Sequence, residues 1–228
     1  MDTMAISMSA PLPFEFDGIR YSLCAEADVV DMNRLLSDVF TREDPPAVAV
    51  GLTPDEFEAF VRLYAQSVVD DGLTIIARDV ASGTMAGAFL VEDAASPAPD
   101  GIEGLSAGFA SIFDLFGRLE ERVADERPPV PGELLHLFVL GVGRAFARRG
   151  IGQRLVEASL ANGARRGYRT AVTEATNRVS QHIFTKLGFV SRGQVSYADY
   201  RRDGVAVFAS IAEHGGPMSM VRTVLADP

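Results

Sequence analysis

Leu134–Leu160, LLHLFVLGVGRAFARRGIGQRLVEASL, sets the reading of this chain. An apolar run ends in Arg148-Arg149-Gly150-Ile151-Gly152, and an amphipathic helix comes at once after it. Successive amides at the positive end of a helix suit a pyrophosphate, and the two arginines add charge beside them. The pattern points to a nucleotide-derived cofactor.

Two familiar phosphate motifs do not account for it. A P-loop needs Gly-Lys followed by Ser or Thr at the helix start, and none occurs there. Gly141-x-Gly143-x-x-Ala147 comes after a strand as a dinucleotide fingerprint would. Its helix would then have to run through Gly150 and Gly152, each costing about 1 kcal/mol against Ala. No acidic residue stands at the ribose-binding distance either.

Outward from this stretch, the pattern alternates strands and helices. Strands are expected at Ile19–Cys24, Leu73–Arg78, Met85–Val91, Leu134 onward and Arg169–Glu174. Helices are expected at Asp28–Phe40, Thr53–Asp70, Gln153–Arg166 and Ser180–Leu187. The second of these opens on the capping box Thr53-Pro54-Asp55-Glu56. A helical insertion, Ala107–Ala124, precedes the cofactor strand and carries Phe109, Ile112, Phe113, Phe116 and Leu119 on one side. Phe189–Tyr197 and Val205–Ser210 read as a terminal hairpin turned at Asp203-Gly204.

The 228 residues, 47% apolar and 23% charged, fit one mixed α/β domain. Residues 1–15 read as a tail and 16–228 as the domain. A net charge of -10 argues against nucleic-acid binding and tolerates a cationic amine substrate. Cys24 is the only cysteine, so neither an intrachain disulfide nor a multi-cysteine metal site can form. No apolar stretch approaches the ~20 residues of a membrane span, and no secretory leader is evident. A cytoplasmic protein, acting as monomer or homodimer, is the expectation.

Two blocks resemble the GNAT superfamily of N-acetyltransferases. The first is that family's Gln/Arg-x-x-Gly-x-Gly/Ala turn, here Ala147-Arg148-Arg149-Gly150-Ile151-Gly152, with Ala147 departing from the usual first residue. The second is ATNRVSQHIFTKLGF, residues 175–189, similar to Asn-x-x-Ala/Ser-x-x-Leu/Ile-Tyr/Phe-x-x-x-Gly-Phe. Asn177, Ser180, Ile183, Gly188 and Phe189 fall into place. Phe40-Thr41-Arg42-Glu43-Asp44-Pro45-Pro46, the insertion and Tyr197-Ala198-Asp199-Tyr200 resemble the arylalkylamine N-acetyltransferase branch, where Glu usually stands at Asp44.

The resemblance implies a single-domain fold with a mixed central β-sheet flanked by helices. It also implies acetyl-CoA as acyl donor, no metal, and a small amine as acceptor, attacking the thioester directly. Leu140 and Val142 would offer backbone groups to the acyl arm, and Ala147–Gly152 would hold the pyrophosphate. Asn177, Ser180 and Phe184 would line the cofactor. Many relatives have Tyr at Phe184 as a general acid, a role phenylalanine cannot fill.

Asp44 is the leading general base, with a loop acid or helix cap as its alternative role, and Glu43 is a lesser candidate. His136 has a suitable ordinary pKa and shares strand parity with Leu140 and Val142 unless a bulge intervenes. Ser180 serves either the leaving thiolate or its own helix start. Two further readings stay open. One is a peptide N-acetyltransferase with a groove open at both ends, and the other is a non-catalytic acyl-CoA sensor.

Overall fold

The computed structural model describes residues 11–123 and 127–225. Ala124, the expected end of the insertion helix, lies outside them, as do residues 1–10 of the expected tail. The chain begins with strands β1 (Phe14–Phe16) and β2 (Ile19–Leu23), then helices α1 (Val29–Glu43), α2 (Pro45–Ala49), α3 (Pro54–Leu63) and α4 (Ala65–Asp70). β3 (Ile75–Asp79) and β4 (Met85–Asp93) lead to α5 (Ala107–Val123) and β5 (Leu134–Val142). α6 (Ile151–Arg165), β6 (Thr170–Ala175), α7 (Arg178–Lys186), β7 (Val190–Gln194) and β8 (Met218–Thr223) complete it.

The eight strands form one sheet in the order β1-β2-β3-β4-β5-β6-β8-β7. Every pairing is antiparallel except β5 with β6, which α6 connects as a crossover. That parallel pairing spans only Leu134–Thr170 to His136–Val172. Beyond it no pairing continues, and this divergence opens the sheet in its middle. One core, with Met32, Leu36, Phe60, Leu90 and Leu115, fills the face covered by α1, α3 and α5. The other, with Ile75, Phe89, Leu155 and Val156, lies under α6. Gly141 lets α1 approach β5, because a Cβ there would stand 2.8 Å from Leu36 Cδ2.

Several expectations change. Phe14 and Glu15 belong to β1, not to a tail, since Phe14 pairs with Tyr21 and stacks on its ring at 4.9 Å. The proline loop after α1 contains α2, with Asp44 as its cap and Pro45 in its first turn. The helix expected over Thr53–Asp70 breaks at Tyr64, although its capping box is present.

The terminal hairpin is corrected more deeply. Asp203 and Gly204 do turn, with φ of 50° and 80°, but the turn closes only the Arg202–Val205 bridge. Phe208 and Ile211 are both buried, a helical spacing, and Ala209–His214 is a 3-10 segment. The true partner of β7 is β8, which lies between β7 and β6.

Candidate active site

The opening between β5 and β6 leads into a cavity of about 750 Å³. β5 contributes Leu137 to Leu140 and Val142; β6 and the residues after it contribute Thr173 to Ser180. Phe57, Phe60, Phe109, Phe113, Phe116 and Phe138 form an aromatic wall. These rings pack on one another, with Phe60 4.9 Å from Phe109 and 5.8 Å from Phe138 between centroids. α5 thus covers the cavity with the face that its apolar spacing sets out.

At the other end stands the glycine turn. Gly150 has φ +74°, and a Cβ built there meets nothing within 4 Å, so the backbone is open on that side. It caps α6, a helix of 15 residues. The first-turn amides of a helix have no intrahelical acceptor and carry its positive dipole end. Helix α6 starts at Ile151, earlier than expected, which puts Gly152 inside the first turn. A Cβ on Gly152 would touch Val142, Ile183 and Leu140 at 3.6–3.9 Å. Ala147, Arg148, Gly150, Ile151 and Gly152 all line the cavity.

Arg149 is the exception. Its guanidinium turns to the β1–β2 corner, donating to the Asp17 carbonyl at 2.8 Å and lying 3.9 Å from Asp79. It is not among the cavity residues, so its expected cofactor contact is not supported by its side-chain placement.

Asp44 ends α1 and caps α2. Its Oδ1 accepts from Thr176 Oγ1 at 2.6 Å, and its Oδ2 accepts from the Ala47 amide at 3.3 Å. It is therefore a cap and a cavity residue together. Desolvation raises its pKa from 3.8 to about 6; the bonds from Thr176 and Ala47 and the charge of His214 offset part of the rise. A carboxylate so poised can accept a proton near neutral pH. Glu43 reaches the same cavity from an exposed position. Thr176 is held in turn by Tyr197, whose phenol donates to its carbonyl at 2.9 Å.

His136 is corrected by a bulge. Leu137 pairs with Val91 and Val139 with Leu90, so Phe138 is an extra residue in β5. Side-chain parity flips there, and His136 faces away from Leu140 and Val142, with its ring 4.9 Å from that of Phe138. Its Nδ1 lies 2.8 Å from Glu92 Oε1 and its Nε2 2.8 Å from Glu174 Oε2. Burial pulls its pKa down, but the charges and hydrogen bonds of Glu174 and Glu92 prevail and carry it up to about 10. His136 is a clamped imidazolium at neutral pH, not a free base, and it is not a cavity residue. Glu174, its partner, is.

Asn177 caps α7, accepting from the amides of Val179 and Ser180 at 2.9 Å. Ser180 does not begin the helix, as expected, but stands at N3; its hydroxyl donates to the Asn177 carbonyl at 2.9 Å. Both line the cavity with their side chains engaged in the cap. Phe184 is buried, packed edge-on against Phe189 with centroids 5.0 Å apart, and reaches the cavity with Ile183.

Sequence reasoning missed Thr176, Glu174 and His214, all cavity residues. Glu174 had a signal: the alternation in Thr170–Ala175 puts a charged residue on the face shared with Thr170 and Val172. Among the described residues, no group of His, Cys, Asp and Glu is placed to hold a metal ion, and no helix is long and apolar enough to cross a membrane.

Residues 102–189 match the Acetyltransferase (GNAT) family. Among solved structures, the C-terminal condensation domain of Ebony in complex with beta-alanyl-dopamine is similar with TM-score 0.81 at 13% identity. That match covers 90% of this chain and 98% of the domain. Arylalkylamine N-acetyltransferase 2 from Aedes aegypti gives TM-score 0.77 at 20% identity, over 92% of this chain and 100% of that one. Drosophila melanogaster polyamine N-acetyltransferase, which forms N-acetylagmatine, gives 0.73 at 21% identity, over 90% and 99%. The likeness to these three is one of fold.

Proposed function

We propose that this chain, a GNAT-superfamily protein through residues 102–189 and an acyl-CoA-dependent N-acetyltransferase, moves an acetyl group from acetyl-CoA to the primary amine of a small arylalkylamine. Asp44 carries this reading: a partly buried carboxylate with its pKa at about 6 in a cavity that also contains the N-terminus of α6.

The residues present fit the donor. Gly150, with nothing within 4 Å of a Cβ built on it, and the first-turn amides of α6 suit its pyrophosphate, with Arg148 adding charge to the lining. The backbone of Leu140–Val142, freed from a parallel partner beyond His136, suits the pantetheine amides. When bound, the donor supplies an activated thioester carbonyl.

The chain's own groups supply the rest. Ionised Asp44 takes a proton from the substrate ammonium, directly or through water, leaving a neutral amine to attack. Thr176 fixes the carboxylate by donating to Oδ1, and Ala47 does so from the other oxygen. The aromatic wall holds the apolar body of the acceptor and excludes water. Phe184 packs beside the acyl arm and has no proton to donate. Ser180 remains in the α7 cap, so the departing thiolate takes, relayed by water, the proton that the attacking nitrogen gives up as the amide forms.

The phenylalanines of α5 over the cavity favour a small amine over a peptide. The test is release of free CoA from acetyl-CoA with a mixed amine library. Release with arylalkylamines supports the proposal; acetyl-CoA binding without release from any amine replaces it with a sensor.

A further inference from the structure

Besides Asp44 and Glu43, a third carboxylate reaches the cavity that the phenylalanines wall. Glu174 reaches the cavity from β6, and its Oε2 lies 2.8 Å from His136 Nε2. The other nitrogen of His136 is held by Glu92 at 2.8 Å, which fixes the ring and through it the Glu174 carboxylate. One ring lies between two carboxylates, and a third, Glu120, is close enough to feel both Glu174 and His136, so acidic groups outnumber basic ones at this spot. Among the described residues, no donor meets the second oxygen of Glu174. A partly desolvated carboxylate in such surroundings favours a hydrogen-bond donor from whatever fills the cavity.

The spacing says where that donor sits on the substrate. Glu174 precedes Thr176 by two residues, which in extended chain is about 7 Å. Thr176 holds Asp44, where the reacting amine must lie. An aromatic ring on a short alkyl chain spans this separation, and the phenylalanine wall accommodates the ring.

We propose that Glu174 is a specificity-determining residue that accepts a hydrogen bond from an O–H or N–H carried on the aromatic ring of the acceptor amine. His136 and Glu92 are positioning residues that hold its carboxylate toward the cavity. The inference rests on the transferase reading above and adds a donor on the substrate at the end opposite the amine.

The test compares kcat/KM for tyramine, phenethylamine and 4-methoxyphenethylamine; phenethylamine lacks the ring oxygen, and the methoxy compound keeps it with a methyl group in place of the proton. The native protein is expected to prefer tyramine over both by about tenfold or more. Glu174→Gln is expected to bring the tyramine-to-phenethylamine ratio to within about twofold of unity, and Glu92→Gln to lower it by a smaller factor. A general loss of stability lowers all three substrates together and leaves the ratio in place. The comparison within the native protein needs no variant to fold.

Turnover of phenethylamine without a tyramine preference overturns the role of Glu174 and leaves the transferase reading standing. So does a ratio that survives Glu174→Gln. Agmatine preferred over tyramine, with that preference lost in Glu174→Gln, assigns a cation to this spot and overturns the ring donor. No turnover of any of these amines overturns both readings.

Discussion

The hydroxyl of Thr176 stands 2.6 Å from Asp44 Oδ1 and joins the C-terminal end of α1 to the chain leaving β6. The bond crosses 132 positions of sequence to hold one carboxylate in the cavity. It favours the charged form, while burial favours the neutral one, and burial prevails.

Asp44→Asn is accordingly expected to lower kcat/KM for the amine by about 10²–10⁴, the usual range for a general base. Acetyl-CoA affinity should change little. The native acid limb, with activity rising as Asp44 ionises through about pH 6, should disappear in the variant. Steady-state rates from about pH 5 to 8 with a Kd for acetyl-CoA would check this; unchanged rates at every pH would remove Asp44 from the mechanism.

The same substitution should strengthen the fold. The folded pKa of Asp44, about 6, lies above its ordinary 3.8, so its favourable contribution is full below that lower value and is lost as pH rises through 6. Asp44→Asn stays neutral and should gain up to about 3 kcal/mol over the parent at about pH 8. The gap should close toward about pH 4. Urea melts at the two pH values measure it, and a constant gap would contradict the burial of this charge.

His136 works in the opposite sense. Its folded pKa of about 10 exceeds its ordinary 6.5, so the ion-paired proton stabilises the protein fully below 6.5 and is lost as pH climbs through 10. His136→Ala leaves Glu92 and Glu174 unpaired and is expected to cost about 3–5 kcal/mol at about pH 7. The deficit should shrink as pH rises toward 10. A deficit that grows with pH would mean that His136 is neutral in the folded protein.

The two neighbouring arginines should separate cleanly. Arg148→Ala is expected to weaken acetyl-CoA binding by about tenfold, with a salt dependence shallower than the parent's. Arg149→Ala removes contacts to Asp17 and Asp79, and it should cost only about 0–1 kcal/mol of stability with little effect on binding. Isothermal titration of both variants distinguishes them, and a larger binding loss for Arg149 would place its guanidinium on the phosphates.

Legibility in the sequence depends on how local the cause is. The turn at Gly150 and the α5 phenylalanines arise from spacing along one segment, and the structure shows both where they are expected. Asp203-Gly204 is legible as a turn too, because positive φ is a property of those residues. Val205–Ser210 beyond it is not, because its conformation is decided by where Phe208 is buried. His136 is illegible for a similar reason. One extra residue at Phe138 reverses the parity, and that bulge exists only in the pairing with β4. Glu174 belongs to no motif, and its importance comes from meeting His136 across strands.

The strand order has a consequence for how the molecule is made. β7 has β8 as its sheet neighbour, and β8 fills the slot between β7 and β6 from residues 218–223. Until residues 218–223 are made, β6 and β7 have no strand between them with which to pair. This end of the sheet therefore closes late in synthesis, and that side of β6 is an open edge until β8 is in place.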